Sequence, residues 1–472
     1  MKGARQTRIV ATLGPATETE ETIGGLMDAG ANLFRLNMSH ARHDWVRRVV
    51  EQIRVAAAAR DYVSGIVMDL QGPSIRTGEI PASVMLVKGD RFDFTIDPKL
   101  KSERLVSVNY PDFLNDIEEG AIIQVDNGLI RMRVLRITGT VAECEVEIGG
   151  EMGSRRHINL PGTKIKLPAL TDKDKADVAL GLETKVDYIA LSFVREASDV
   201  AQLREFMAGD AHPPKVIAKV EDQYAIKNID AIIEEADAIM VARGDLGVEC
   251  PFEDLPILQR KIVRSCQLVG KPVIVATHML ESMVGEPIPT RAEVTDVANA
   301  VFEQADAIML SSETSVGQFP AMCVEAMDRI ARRMEREDGA RFHEEAELSD
   351  ERQKLAKVAV QMADDMEAQA LVVFTVEGKM VPEAAWMRPR EARIMALCPS
   401  GRVAGQMSLF RGVVPVVVGE VHSELPAEEE VEAALELLKE KGLLKSGDTV
   451  VVISSHLAVA EIADSVQMHR VG

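Results

Sequence analysis

Eight short β-branched runs, each separated from the next by enough chain for a helix, limit this sequence more than any other feature. They are RIVATLG (8–14), LFRLN (33–37), GIVMDL (65–70), YIALSF (188–193), KVIAKV (215–220), AIMVAR (238–243), PVIVAT (272–277) and AIMLSS (307–312). Nearly continuous apolar runs mark parallel strands buried on both faces, and eight such βα units close into a (β/α)8 TIM barrel. Crossover helices are supplied by HDWVRRVVEQIRVAAAARD, by the capped TDKDKADVALGLE and by TRAEVTDVANAVFEQ. An α/β barrel is therefore expected.

One interval breaks the rhythm. From Thr77 to about Lys166 the sequence alternates short strands with turn signals, as in PASVMLVKGDRFDFT and EEGAIIQVDNGLIRMRVLRITGTVAECEVEIGG. This predicts an inserted β-barrel domain that leaves the third strand's C-terminal end and hangs over the face where barrel active sites form, as a lid. After residue 335 a charged stretch leads to a fresh α/β pattern with strand candidates at 371–375, 393–397, 413–418 and 449–454. The expected division is barrel (1–76 and 167–335), lid (77–166) and a C-terminal open-sheet α/β domain (336–472), read as regulatory.

Fifty-four basic against 75 acidic residues give a net charge of −21. A nucleic acid would be repelled, and an anionic substrate must be held by local cations or a metal. The five scattered cysteines show neither CxxC spacing nor an even count, so neither a disulfide framework nor a zinc site is expected. No run of about 18 apolar residues occurs, and the N-terminus lacks an apolar leader. A cytoplasmic protein with no membrane segment is the expectation.

The strand ends carry the chemistry. Lys219 and Glu221 leave KVIAKVE on one side, and Arg243 and Asp245 leave AIMVARGD likewise, because alternate strand residues face the same way. Two carboxylates beside two cations suit a divalent ion such as Mg2+ that takes its remaining ligands from substrate and water. Gly244 and Gly247 bracket Asp245 in what reads as a tight turn, letting the Gly244 and Asp245 amides approach an anion. Any one such pair, read alone, is an ordinary surface ion pair. The other strand ends, however, bring Arg35, Asn37, Ser39 and His40, Asp69 with Arg76, Phe193, Thr277, and Ser311 with Glu313. These groups meet the demands of phosphoryl transfer: Arg35, Arg76 and Lys219 to neutralise the moving group, Glu221 and Asp245 to hold the metal, and Thr277 to relay a proton.

TRIVATLGPAT, FRLNMSH, GPSIRTG, IAKVED, MVARGDLGVE, THMLESM, PTRAEVTDVANAV and AIMLSSET, in this order, resemble pyruvate kinase, and VDNGLI, INLPG, RPREARIMAL and LFRGVVPVVV extend the likeness over nearly the whole chain. The resemblance implies phosphoryl transfer from phosphoenolpyruvate to ADP, followed by enolate protonation to give pyruvate and ATP. It implies Lys219 on the phosphoryl group and enolate, Glu221 and Asp245 on Mg2+ or Mn2+, and Ala242, Arg243 and Gly244 around the substrate carboxylate. Arg35 and Arg76 would meet phosphates, Asn37 and His40 would lie on the nucleotide side, and protonation would run through Thr277 and Ser311 with water. A homotetramer is also implied.

Departures from the family pattern bear on regulation. Where the family commonly has LDTKGPEIRTG, this chain has MDLQGPSIRTG, so Ser74 stands in place of a Glu near the potassium site that Asn37, Ser39, Asp69 and Leu70 would form. Work without potassium is the expectation. His278 replaces a common Gln. TVEGKM (Thr375 to Met380) replaces a Ser/Thr-rich phosphate turn, so Glu377 argues against fructose 1,6-bisphosphate, while Lys379 and Arg402 leave room for a monophosphate effector. Two other readings compete: another metal-dependent barrel enzyme such as an aldolase or lyase, and a catalytically dead regulatory homologue. The lid argues against the first, and the joint presence of Lys219, Glu221, Asp245 and Thr277 against the second.

Overall fold

Eight parallel strands close on themselves in the computed structural model, which describes residues 5–375, 378–419, 427–454 and 465–472. They are β1 (Arg8–Thr12), β2 (Leu33–Asn37), β3 (Gly65–Asp69), β4 (Tyr188–Leu191), β5 (Lys215–Val220), β6 (Ala238–Ala242), β7 (Val273–Ala276) and β8 (Ala307–Leu310). Each pairs with its neighbours in chain order, and β1 closes the barrel on β8. Alternation sorts the side chains. Val10, Leu33, Val67, Tyr188, Ile217, Met240, Ile274 and Met309 form one buried cluster, and their neighbours in sequence pack in another with the surrounding helices.

This parity builds the site. Two residues beyond that apolar layer, on the same side of their strands, come Thr12, Arg35, Asp69, Lys219 and Ala242, with Ser192 four beyond Tyr188. The barrel interior thus changes from an apolar plug to a polar layer at its C-terminal end.

The insert leaves the chain after β3 and returns before the helix Asp172–Glu183. Its longest sheet runs in the order Ile158–Asn159, Ile122–Val125, Ile130–Thr138, Val141–Ile148, Arg91–Thr95, Leu105–Ser107, with a separate ribbon of Val84–Met85 and Glu151–Met152. The insert is the β domain expected, and its hydrogen-bonded ladder stays open. A core of its own, with Phe92, Phe94, Phe113 and Met132, fixes it as a unit.

The C-terminal sheet contains β9 (Ala370–Phe374), β10 (Arg393–Cys398), β11 (Val413–Val417), β12 (Thr449–Ser454) and β13 (Ser465–Arg470), ordered β11-β10-β9-β12-β13. Four of these match sequence expectations. β13 was not anticipated: SVQMHR is a half-exposed antiparallel edge without an apolar run, so it carries no parallel-strand signature. Val376 and Glu377 of the TVEGKM turn lie outside the described residues.

Candidate active site

Lys219 is 8% exposed at the end of β5, and its Nζ lies 2.7 Å from Glu221 Oε1, 3.2 Å from Asp69 Oδ1 and 2.7 Å from Ser192 Oγ. Burial alone would lower its pKa, but Asp69 and Glu221 overrule that and hold the ammonium well above the usual lysine range. Asp69 is itself buried and bound on its other oxygen by Arg35 Nε at 2.6 Å. Burial opposes its charge, yet Arg35 and Lys219 together keep its carboxyl below the usual range. Arg35 also donates to Thr12 Oγ1 at 3.1 Å. The polar layer is therefore a connected ionic network in which each partner neutralises another.

Glu221 differs. Its Oε2 accepts the Phe193 amide at 2.6 Å, but burial, together with the neighbouring charge of Asp245, pushes its carboxyl up to about 7 against the pull of Lys219. A buried carboxylate whose ionisation a neighbouring charge opposes is what a divalent cation would relieve. Among the described residues there is no group of three or more His, Cys, Asp or Glu side chains able to hold a metal. With Glu221 and Asp245 as the protein ligands, the remaining ones would come from substrate and water.

The four-residue cluster read from sequence is corrected here. Lys219, Glu221 and Asp245 line one cavity of about 380 Å3, with Arg35, Asn37, Ser39, Asp69, Leu70, Ser74 and Arg76. The Arg243 side chain does not line it. Strand β6 ends at Ala242 with that residue facing inward, so Arg243 faces outward. There it donates to Asp296 Oδ1 at 2.6 Å, Thr277 O at 2.6 Å and Gln259 Oε1 at 3.3 Å. From Arg243 the chain is a helix, Arg243–Glu249, and not the tight turn expected of Gly244 and Gly247. Strand alternation stops there, and the first helical turn carries Asp245 to the cavity. An added Cβ at Gly244 would meet Thr277 Oγ1 at 3.4 Å, an ordinary contact, so space alone does not require glycine there.

The Gly244 amide donates to Thr277 Oγ1 at 2.7 Å, and that hydroxyl donates to Ala276 O at 2.6 Å. Thr277 and His278 both sit at positive φ, 68° and 53°, and Phe193 at 54°. For a β-branched residue this backbone is strained, and such strain gathers where a site over-determines geometry. Ser311 Oγ is buried without a partner among the described residues, while its amide and that of Leu280 are held by the buried Glu313 at 2.7 and 3.1 Å. Glu313 thus staples the loops after β7 and β8 together. His40 is exposed just beyond Asn37 and does not line the cavity.

Sequence reasoning missed the cavity's lid wall. Asp126, Asn127, Arg155, Arg156 and His157 all line it. Asp126, Asn127 and Gly128 are successive left-handed residues at a hairpin tip, as an Asn-Gly turn requires. The available signal was the pair Arg155 and Arg156 in GSRRHINLPG, the insert's concentrated positive charge. Arg76 marks the junction, its Nη1 donating to Arg155 O at 3.1 Å and its Nε to Ser74 Oγ at 3.2 Å.

A (β/α)8 barrel with a buried lysine–carboxylate network at its strand ends, and a β insert whose Arg155 and Arg156 help line the cavity, defines a barrel enzyme of anionic-substrate chemistry. The chain belongs to the pyruvate kinase family: the model of the pyruvate kinase barrel domain matches residues 4–324 and that of the alpha/beta domain residues 353–468. Pyruvate kinase 2 of Synechocystis is 39% identical, covering 99% of this chain and 79% of that protein. Human pyruvate kinase PKLR is 38% identical over 96% of this chain and 82% of its own length. A solved pyruvate kinase from Cryptosporidium parvum superposes with a TM-score of 0.93 at 33% identity, covering 99% of this chain and 96% of that one. The activity is accordingly that of a pyruvate kinase, a glycolytic phosphotransferase. Two further relatives, from tobacco and Arabidopsis, are named chloroplastic. Among the described residues no helix is long and apolar enough to cross a membrane.

Proposed function

We propose that phosphoenolpyruvate passes its phosphoryl group to ADP in the cavity between barrel and lid, and that the Lys219 network carries the reading. The Lys219 ammonium, kept charged by Asp69 and Glu221, faces the group in transfer and then the enolate oxygen. Arg35 and Arg76 offset the phosphate charge from one side, with Asn37 and His40 toward the nucleotide, and Arg155 and Arg156 of the lid close the other. Glu221 and Asp245 fit Mg2+ or Mn2+, which when bound supplies Lewis-acid polarisation and charge neutralisation. Ala242, Arg243 and Gly244 frame the substrate carboxylate, with the Arg243 side chain committed to Asp296 and Thr277 O. Thr277, with Ser311 and water, relays the proton to the enolate.

Asp69 already has Arg35 and Lys219 against it, and Ser74 offers Arg76 a hydroxyl in place of a carboxylate. Catalysis without potassium at Asn37, Ser39, Asp69 and Leu70 follows. The test is ADP-dependent pyruvate formation with Mg2+ in potassium-free and potassium-containing buffer. Equal rates are expected for this chain and a potassium-stimulated rate for Ser74→Glu; a strict potassium requirement in the unmodified protein rejects this account. Residues 1–76 with 167–335, 77–166 and 336–472 act as barrel, lid and regulatory unit. Exposed Phe252, Ile257 and Ile288 support self-association, read as a homotetramer, and a cytoplasmic setting accords with free cysteines that are mostly buried. Arg402, which with Lys379 would meet a monophosphate effector, donates to His212 O at 2.9 Å at the barrel junction.

A further inference from the structure

The lid touches the barrel at a place the reaction itself does not use. Asn159, on the strand at the lid's sheet edge, donates from Nδ2 to Glu249 Oε1 at 3.0 Å, and both residues are more than nine-tenths buried. Glu249 is the last residue of the helix Arg243–Glu249 that also carries Asp245. A second contact lies one residue away, where Gln124 of the adjacent lid strand donates to Val248 O at 3.0 Å. From the barrel side, Gln223 donates to Glu249 O, fixing the receiving end. The cleft between these surfaces, bordered by His157, Phe193 and Glu221, holds only about 30 Å3, room for about one water.

A lid that merely covered the cavity would need no buried polar contact with one short helix. A carboxylate withdrawn from water carries a cost, and Asn159 is the side-chain partner that offsets it. That expenditure is made at the far end of the helix that presents Asp245. We infer that Glu249 is a positioning residue: through Asn159 it locks the docked lid to the Asp245 helix, so that water is excluded whenever Asp245 is in place. The inference rests on the proposed role of Asp245 and adds a route by which lid position reports to it.

The consequence is chemical. With the latch broken, water can compete with ADP as acceptor: the P–O bond to the enol breaks, a P–O bond to water forms, and one proton of that water ends on the enolate carbon. Phosphoenolpyruvate and water then give pyruvate and hydrogen phosphate, with no ATP.

The test uses the full-length protein and the variants Glu249→Ala, Glu249→Gln and Asn159→Ala. Two quantities are read: amide hydrogen exchange across Ile122–Val125 and Ile158–Asn159 in the ligand-free protein, and pyruvate formed per ATP at saturating ADP. Leaving one partner of a buried hydrogen bond unsatisfied sets the scale, so exchange should quicken roughly tenfold in Glu249→Ala and Asn159→Ala, with pyruvate per ATP rising above one. Glu249→Gln, whose amide oxygen still accepts from Asn159, should stay within about twofold of the unmodified protein in both. Unchanged exchange in Glu249→Ala overturns the latch, as does Glu249→Gln behaving like Glu249→Ala, or a loss of turnover with pyruvate and ATP still equal. If Glu249→Ala fails to fold, Asn159→Ala and Gln124→Ala decide by the same readings. Because exchange is measured without substrate or metal, an incorrect role for Asp245 would leave it intact and alter only the product ratio.

Discussion

Lys219 is held by three partners and exposes almost nothing, so its removal has two effects that can be separated. Lys219→Ala should abolish phosphoryl transfer, and it also strands Asp69 and Glu221 as buried carboxylates short of a counter-charge. A loss of about 3 kcal/mol or more is expected, seen as a lowered thermal midpoint. Restoration of that midpoint by acid, which protonates the stranded pair, without recovery of activity would separate the two; full activity in the variant would remove Lys219 from the mechanism. Thr277 offers a finer test. Thr277→Val keeps the shape but leaves the Gly244 amide without its acceptor, so turnover should fall with a stability loss of about 1–3 kcal/mol, whereas Thr277→Ser should retain both. Equal behaviour of the Val and Ser variants would exclude the hydroxyl. Arg35, Asp69, Lys219 and Glu221 were legible because period-two alternation continues up to or just past each strand's last residue. Arg243 was misread because alternation was carried past the end of β6 into a helix. Arg155, Arg156 and Asn159 were not read at all, since the contacts that make them matter join residues distant in sequence.

At the scale of elements, the barrel strands were legible and their supports were partly so. The sequence marks Thr171 as a helix cap. The structure adds that the capping-box partner Asp174, fully buried, accepts from Thr171 N and Oγ1 at 3.0 and 2.6 Å on one oxygen and from Gly72 N at 3.1 Å on the other. Gly72 has a φ of 69°, and it opens the segment that carries Ser74 and Arg76 into the cavity. One carboxylate thus starts a helix and fixes the loop in front of it, a link no local pattern encodes. Asp174→Ala should cost about 2–3 kcal/mol, combining a lost cap with an unpaired buried amide, and should raise the KM for phosphoenolpyruvate through the displaced Arg76. Asp174→Asn, which retains an acceptor, should recover part of both. A change in stability with KM unmoved would confine Asp174 to the helix.

Across the whole molecule, barrel and C-terminal domain meet through charged groups taken out of water. Arg388 grips Asp306 at the foot of β8 with two bonds of 2.8 and 2.9 Å, and Arg411 lies 3.4 Å from Glu335. His343, in the connecting segment, has a buried Nδ1 without a partner among the described residues. Burial, followed by the charges of Arg388, Arg341 and Arg411, pushes its pKa down to about 3. The sign follows from which state takes up the proton. Below about pH 6.5 the unfolded chain protonates this imidazole while the folded one does not, so stability drains away as pH falls, until the folded pKa is reached near 3. His343→Gln removes that titration. The fall in stability between pH 7 and pH 4.5 should therefore be smaller in the variant by at most about 2.5 kcal/mol, a difference between two differences that cancels the cost of the substitution itself. Thermal midpoints of both proteins at the two pH values measure it. Parallel losses would mean that His343 is charged in the folded protein and that the arginines at the junction do not set its state.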